Sequence, residues 1–162
     1  MGKLPDSFAG RPITGRVPHT MAASTVLQSG QKQFTFLSSL FTHNTDKPFE
    51  IHRVIFRAGP PTPKLVDYTG LELTLASVQI YDFTRDQNLL KVPTPLTNLV
   101  VGSTISAWEW AQPFYLTRAE GFNVTLDAAV FPGSIIERGG VRFDVAFQGA
   151  LIIDKPATDR RG

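Results

Sequence analysis

The stretch Val141-Arg-Phe-Asp-Val-Ala-Phe-Gln-Gly-Ala-Leu-Ile-Ile153 decides the fold class. Val141, Phe143, Val145, Phe147, Gly149, Leu151 and Ile153 hold one side of the chain, and Arg142, Asp144, Ala146, Gln148, Ala150 and Ile152 the other. A helix would spread these apolar residues around its circumference, whereas a strand sends alternate side chains to opposite faces. The second side becomes apolar after Ala146, so the C-terminal half of this strand is expected to be covered on both faces. Lys155-Pro156 ends it, because proline has no N–H to give to a ladder.

The same two-residue period recurs upstream. Phe122, Val124 and Leu126 alternate with Asn123, Thr125 and Asp127. Phe49, Ile51, Arg53 and Ile55 alternate with Glu50, His52, Val54 and Phe56, and Gly59-Pro60-Pro61 closes that run. Phe34 and Phe36 alternate with Gln33 and Thr35 in a strand expected to run toward Phe41. Leu71, Leu73 and Leu75 slip by one place to Val78 and Ile80, which predicts a bulge or a strand break. Leu89–Val101 is apolar but broken by Pro93 and Pro95, which predicts edge or irregular structure, and Ile105–Tyr115 is rich in aromatic residues. Seven to nine strands with short polar turns between them predict an all-β fold, an antiparallel two-sheet sandwich of which the jelly roll is one arrangement.

Residues 1–31 read differently. Pro5, Gly10, Pro12, Gly15, Pro18 and Gly30 punctuate them. Their spaced apolar residues, Leu4, Phe8, Ile13, Val17, Val26 and Leu27, suit an extended N-terminal arm that docks through isolated anchors. The expected organisation is thus an arm at 1–31, a β-sandwich domain at 32–154 and a C-terminal tail at 155–162.

Composition narrows the chemistry. The 162 residues include no cysteine, which excludes disulfides and thiolate metal sites. The net charge is +2, with +2 in residues 1–30, +2 in 155–162 and −2 between them. So small an excess, confined to the ends, does not predict nucleic-acid binding, which wants a basic patch on the folded body. No apolar run reaches the roughly 20 residues of a membrane span. The opening MGKLPDSFAG lacks the apolar core of a signal peptide, so no cleaved leader is expected.

No nucleophile elbow, phosphate-binding loop or zinc-protease motif is present, and no enzyme activity, metal or cofactor is expected. His19, His43 and His52 do not form a close pair at metal-ligand spacing, and a structural role is expected for His52. Asp82, Asp86 and Asn88 offer oxygen ligands but lack the glycine and terminal glutamate of a calcium loop, so a turn is the better reading. Asp67 and Glu72 find no second carboxylate for a glycosidase pair. Asn123-Val-Thr125 matches a glycosylation sequon but lies on a strand, so a chance match is expected. Trp108 and Trp110 share one face of a strand near Tyr115. They fit core packing, a protein interface or a sugar-stacking platform, the last with Tyr68 and Tyr81 as further candidates.

The run Phe34-Thr-Phe36, the segment Asn44 to Pro48-Phe49-Glu-Ile51, the segment Trp108 to Pro113-Phe114-Tyr115-Leu116 and the segment Phe143 to Gly149-Ala150-Leu151 resemble the β-sandwich capsid auxiliary proteins, cement or decoration proteins, of tailed bacteriophages. The likeness is one of pattern over residues 30–154. It implies a non-enzymatic structural protein, made in the host cytoplasm and carried on the capsid surface of the virion. It implies the major capsid protein as partner and a homo-oligomer, most simply a trimer, with the arm strapping neighbouring subunits. The alternatives are a tail, fibre or connector component and a carbohydrate- or receptor-binding module.

Overall fold

A computed structural model describes residues 3–28, 31–61, 76–90, 94–99, 105–128 and 140–154. Its strands are β1 (Ser7–Phe8), β2 (Arg11–Leu27), β3 (Gln33–Thr35), β4 (Phe49–Gly59), β5 (Ala76–Asp82), β6 (Gln87–Asn88), β7 (Thr94–Pro95), β8 (Ile105–Leu116), β9 (Phe122–Ala128) and β10 (Val141–Asp154). Ser38–Phe41 and Leu96–Leu99 form single 3-10 turns.

Two antiparallel sheets result. The larger has the order β1-β2-β10-β4-β8, and the smaller β3-β9-β5-β6, with β7 also on β5. β6 and β7 lie along the same edge of β5, opposite the one that β9 takes, and act as one interrupted strand. Setting β1 aside leaves eight strand positions among the described residues. The first pairs with the last (β2·β10), the second with the seventh (β3·β9), the third with the sixth (β4·β8) and the fourth with the fifth (β5·β6/β7). Such a nested ribbon, rolled so that its halves face each other, is a jelly roll.

The interior is aromatic. Ring centroids follow one another from Trp108 to Trp110 (4.7 Å), Phe114 (6.0 Å), Phe122 (5.4 Å), Phe147 (4.7 Å), Phe41 (5.2 Å), Phe36 (5.5 Å) and Phe34 (5.2 Å). Val54, Phe56, Val78, Ile80, Val124, Leu126, Phe143 and Val145 fill the space around them. Each fully buried side chain of this size contributes about 1.5–3 kcal/mol from removal of apolar surface.

The residues expected to form the arm join the body instead. β2 runs antiparallel to β10 from Leu27↔Val141 to Ile13↔Asp154 and puts Met21 and Leu27 into the core. The sandwich therefore begins at residue 11, not 32. Pro12, Gly15 and Pro18 made this stretch read as irregular. Beyond its short pairing with β1, β2 has no second strand neighbour among the described residues, and such an edge is where proline is tolerated. The run from Phe34 also differs: strand pairing ends at Thr35, and the chain turns so that Phe41 is buried, with Thr42 Oγ1 donating to Ser38 O at 2.7 Å.

β10 follows its periodicity. Phe147 and Leu151 pack against the interior, while Ala150 and Ile152 face the other way and are buried too. β5 buries Val78 and Ile80. The phase slip at Leu71–Leu75 and the tail at 155–162 lie outside the described residues. β4 and β8 carry an unanticipated irregularity: Ile51 faces Phe114 but Arg53 faces Glu109, so His52 stands opposite a four-residue excursion at 110–113. Gly149 lies against it, and a Cβ there would come within 1.8 Å of Glu50 O.

Candidate functional site

In an antiparallel ladder, residues directly opposite share a face. Register therefore places Arg16 beside Ile152, and Glu50 beside both Ala150 and Tyr115, all on the outer face of the larger sheet. Glu50 is fully buried there, with four hydrogen-bond donors around its carboxylate. Arg16 donates from Nε to Oε1 (2.8 Å) and from Nη2 to Oε2 (3.1 Å), and Tyr115 Oη donates to Oε2 at 2.8 Å. His52 Nε2 lies 2.7 Å from Oε1. Burial alone would push the Glu50 carboxyl up, but the bonds from Arg16, His52 and Tyr115 outweigh it and hold the group below its ordinary range. Burial and the bond to Glu50 push the Tyr115 hydroxyl up, and the carboxylate pulls the Arg16 guanidinium up.

Residues 3–10 cover this cluster. Arg16 Nη2 donates to Pro5 O, the Phe8 ring lies 4.7 Å from that of Tyr115, and Ile13 N donates to Asp6 O at 2.9 Å. A carboxylate with every lone pair engaged and a lid of chain above it is a clamp.

Beside the clamp, a shallow open groove of ≈ 480 Å3 runs over the irregularity, lined by Pro18, His19, Thr20, His52, Arg53, Glu109, Gln148 and Gly149. Arg53 Nε donates to Gln148 Oε1 at 2.8 Å across its floor. The lining offers donors and acceptors of both charge signs and no aromatic face besides the imidazoles.

The anchors expected along the arm scatter. Phe8 packs on Tyr115, Leu27 is in the core, and Leu4, Ile13 and Val26 are half-buried. Val17 is 45% exposed. The three candidate interface aromatics separate: Trp108 and Trp110 lie tilted at 35° to each other against the core, while Tyr115 belongs to the opposite face. No joint Trp–Trp–Tyr platform exists.

His43 is buried, with Nε2 2.6 Å from Lys47 O and 3.0 Å from Thr45 Oγ1, and His19 sits edge-on to Phe49. Asp82 shapes a turn, its Oδ1 accepting from Thr84 N and Arg85 N, and its Oδ2 pairs with Arg85 at 2.9 Å. Asp86 accepts from Tyr81 Oη and Asn88 from Gln79, so these oxygens serve the turn and its flanking strands. Asn123 lies on β9, opposite Tyr81. Among the described residues no three His, Cys, Asp or Glu side chains group as a metal site would require, and no helix is long and apolar enough to cross a membrane. Tyr68, Asp67 and Glu72 lie outside the described residues.

The functional residues missed in the sequence are Arg16 and Glu50. An acid two places from a histidine, between the apolar Phe49 and Ile51, was the available signal for Glu50. Arg16 had none, because its segment did not read as a strand. In comparisons with known proteins, no family model matches the chain, and no curated protein and no solved structure matches it significantly.

Proposed function

We propose that this chain is a non-enzymatic structural protein of a virion, a cement or decoration protein that binds the major capsid protein of a tailed phage and stabilises the shell. The observation that carries the reading is the row of eight rings between the sheets: a sandwich whose interior is given over to packing works through its surface. Jelly rolls serve in this way in viral capsids. The capsid-facing corner in this reading is the 3-10 turn, where Leu37 and Leu40 stand 71% and 46% exposed. Exposed leucines on a rigid corner give a partner apolar area at little entropic cost. Self-association as a trimer is part of the same proposal.

The test is co-expression with the major capsid protein of the same genome, followed by sedimentation of the assembled shells. Co-sedimentation that Leu37→Ser/Leu40→Ser abolishes supports the reading. Shells that pellet without the chain overturn it.

A second reading, a carbohydrate- or receptor-binding module of a tail or fibre, is favoured by the groove over His52. Its mixed donors and acceptors suit sugar hydroxyls, and a glycan array would give a defined set of hits that Gln148→Ala and Glu109→Ala remove.

A further inference from the structure

The N-terminal hairpin holds strain at its hinge. Ser7 pairs with Pro12 and Phe8 with Arg11, so Ala9 and Gly10 form a two-residue turn. Both have positive φ, 49° and 75°. That backbone is the type I′ turn, whose first central position ordinarily holds Asn, Asp or Gly. Alanine there sets its Cβ against the following carbonyl and has no side-chain bond to compensate.

The contacts that seat residues 3–8 do not depend on which chain supplies them. Pro5 O meets Arg16, Asp6 O meets Ile13 N, and Phe8 meets Tyr115; the receiving groups all belong to the jelly-roll body. Straightened at Ala9–Gly10, six residues reach about 20 Å beyond the end of β2.

We infer that residues 3–8 exchange between copies of this chain, each segment occupying the Arg16–Tyr115 seat of a neighbour. Closed and exchanged forms make the same seat contacts, so those contacts cancel in the comparison. The difference lies in the turn, relaxed by exchange, and in the association entropy, which concentration offsets. Short strained hinges favour this outcome. The exchange does not depend on any shell and is a property of the purified chain.

A chain without cysteine makes the test direct. The variants Phe8→Cys and Tyr115→Cys are made separately, mixed at high concentration and bridged with a short bis-maleimide. Exchange gives heterodimers, linked 8 to 115, well in excess of either homodimer. Monomers only, or heterodimers at the statistical proportion, overturn it. Independently, sedimentation equilibrium on otherwise native chains should show Ala9→Gly lowering the association constant by about tenfold, since glycine carries no left-handed penalty. Ala9→Pro, which cannot take a positive φ, should raise it. An association constant that is the same in all three chains overturns the inference. The Ala9 variants change an exposed turn and leave the core intact.

Discussion

Glu50 is the residue on which the outer face turns. It is a buried charge in a structure whose other outward-facing strand residues are mostly wet, and its four donors come from three strands. Removing one partner of a buried pair leaves the other uncompensated. Glu50→Gln is therefore expected to cost about 3 kcal/mol, read from urea unfolding at neutral pH. The same carboxylate predicts an acid dependence. Its folded pKa is lowered from the ordinary value of 4.5, so its contribution is complete above that pH and drains away as the pH falls through the folded value. The groups facing it are Arg16, His52 and Tyr115, with Asp6 acting on Arg16 from the covering segment. The stability gap between the native chain and Glu50→Gln should narrow as the pH falls below 4.5. A gap that does not narrow there would contradict the clamp.

At the scale of elements, β2 and the segment before it behave differently. Residues 3–10 lie on the body, and their loss uncovers Tyr115 and the clamp without opening the core. Residues 11–27 are part of the sheet, with Met21 and Leu27 in the interior. A chain lacking residues 1–10 should keep a cooperative thermal transition, lowered by several degrees, whereas a chain lacking 1–25 should have none. Circular dichroism melts decide this. The junction of β4, β8 and β10 is similarly specific. Gly149 lets the backbone of Glu50 approach where any Cβ would collide, so Gly149→Val should destabilise by more than about 3 kcal/mol or abolish folding. A mild effect in denaturant unfolding would mean that the irregularity at His52 can relax.

For the whole molecule, the nested pairing is the dominant fact. Leu27 pairs with Val141, and Ile13 with Asp154, so the edge of the larger sheet forms only when the two ends of the chain meet. Loop closure over such separations must precede the contacts that reward it. Refolding measured by tryptophan fluorescence is expected in milliseconds to seconds or slower, and a sub-millisecond main phase would be inconsistent with this topology. Trp108 and Trp110, packed against the core at one end of the aromatic row, are suitable reporters.

Local alternation determined a good deal. Val141–Ile153 and Phe122–Leu126 each announce a strand and its buried face, because a strand's period is a property of neighbours in sequence. Phe49–Phe56 announces a strand, but its buried face passes from Phe49 and Ile51 to Val54 and Phe56 at the irregularity, which alternation does not show. The turn at Asp82 and the stop at Gly59-Pro60 are legible for the same reason. The tertiary structure alone decided the rest. Arg11–Leu27 became a strand because β10 offered it a partner more than a hundred residues away, against its own prolines. Arg16, Glu50, His52 and Tyr115 met because register carried them to one spot on the outer face. Pairing partner and register are long-range quantities, fixed by the free energy of the whole core, and no window of sequence contains them.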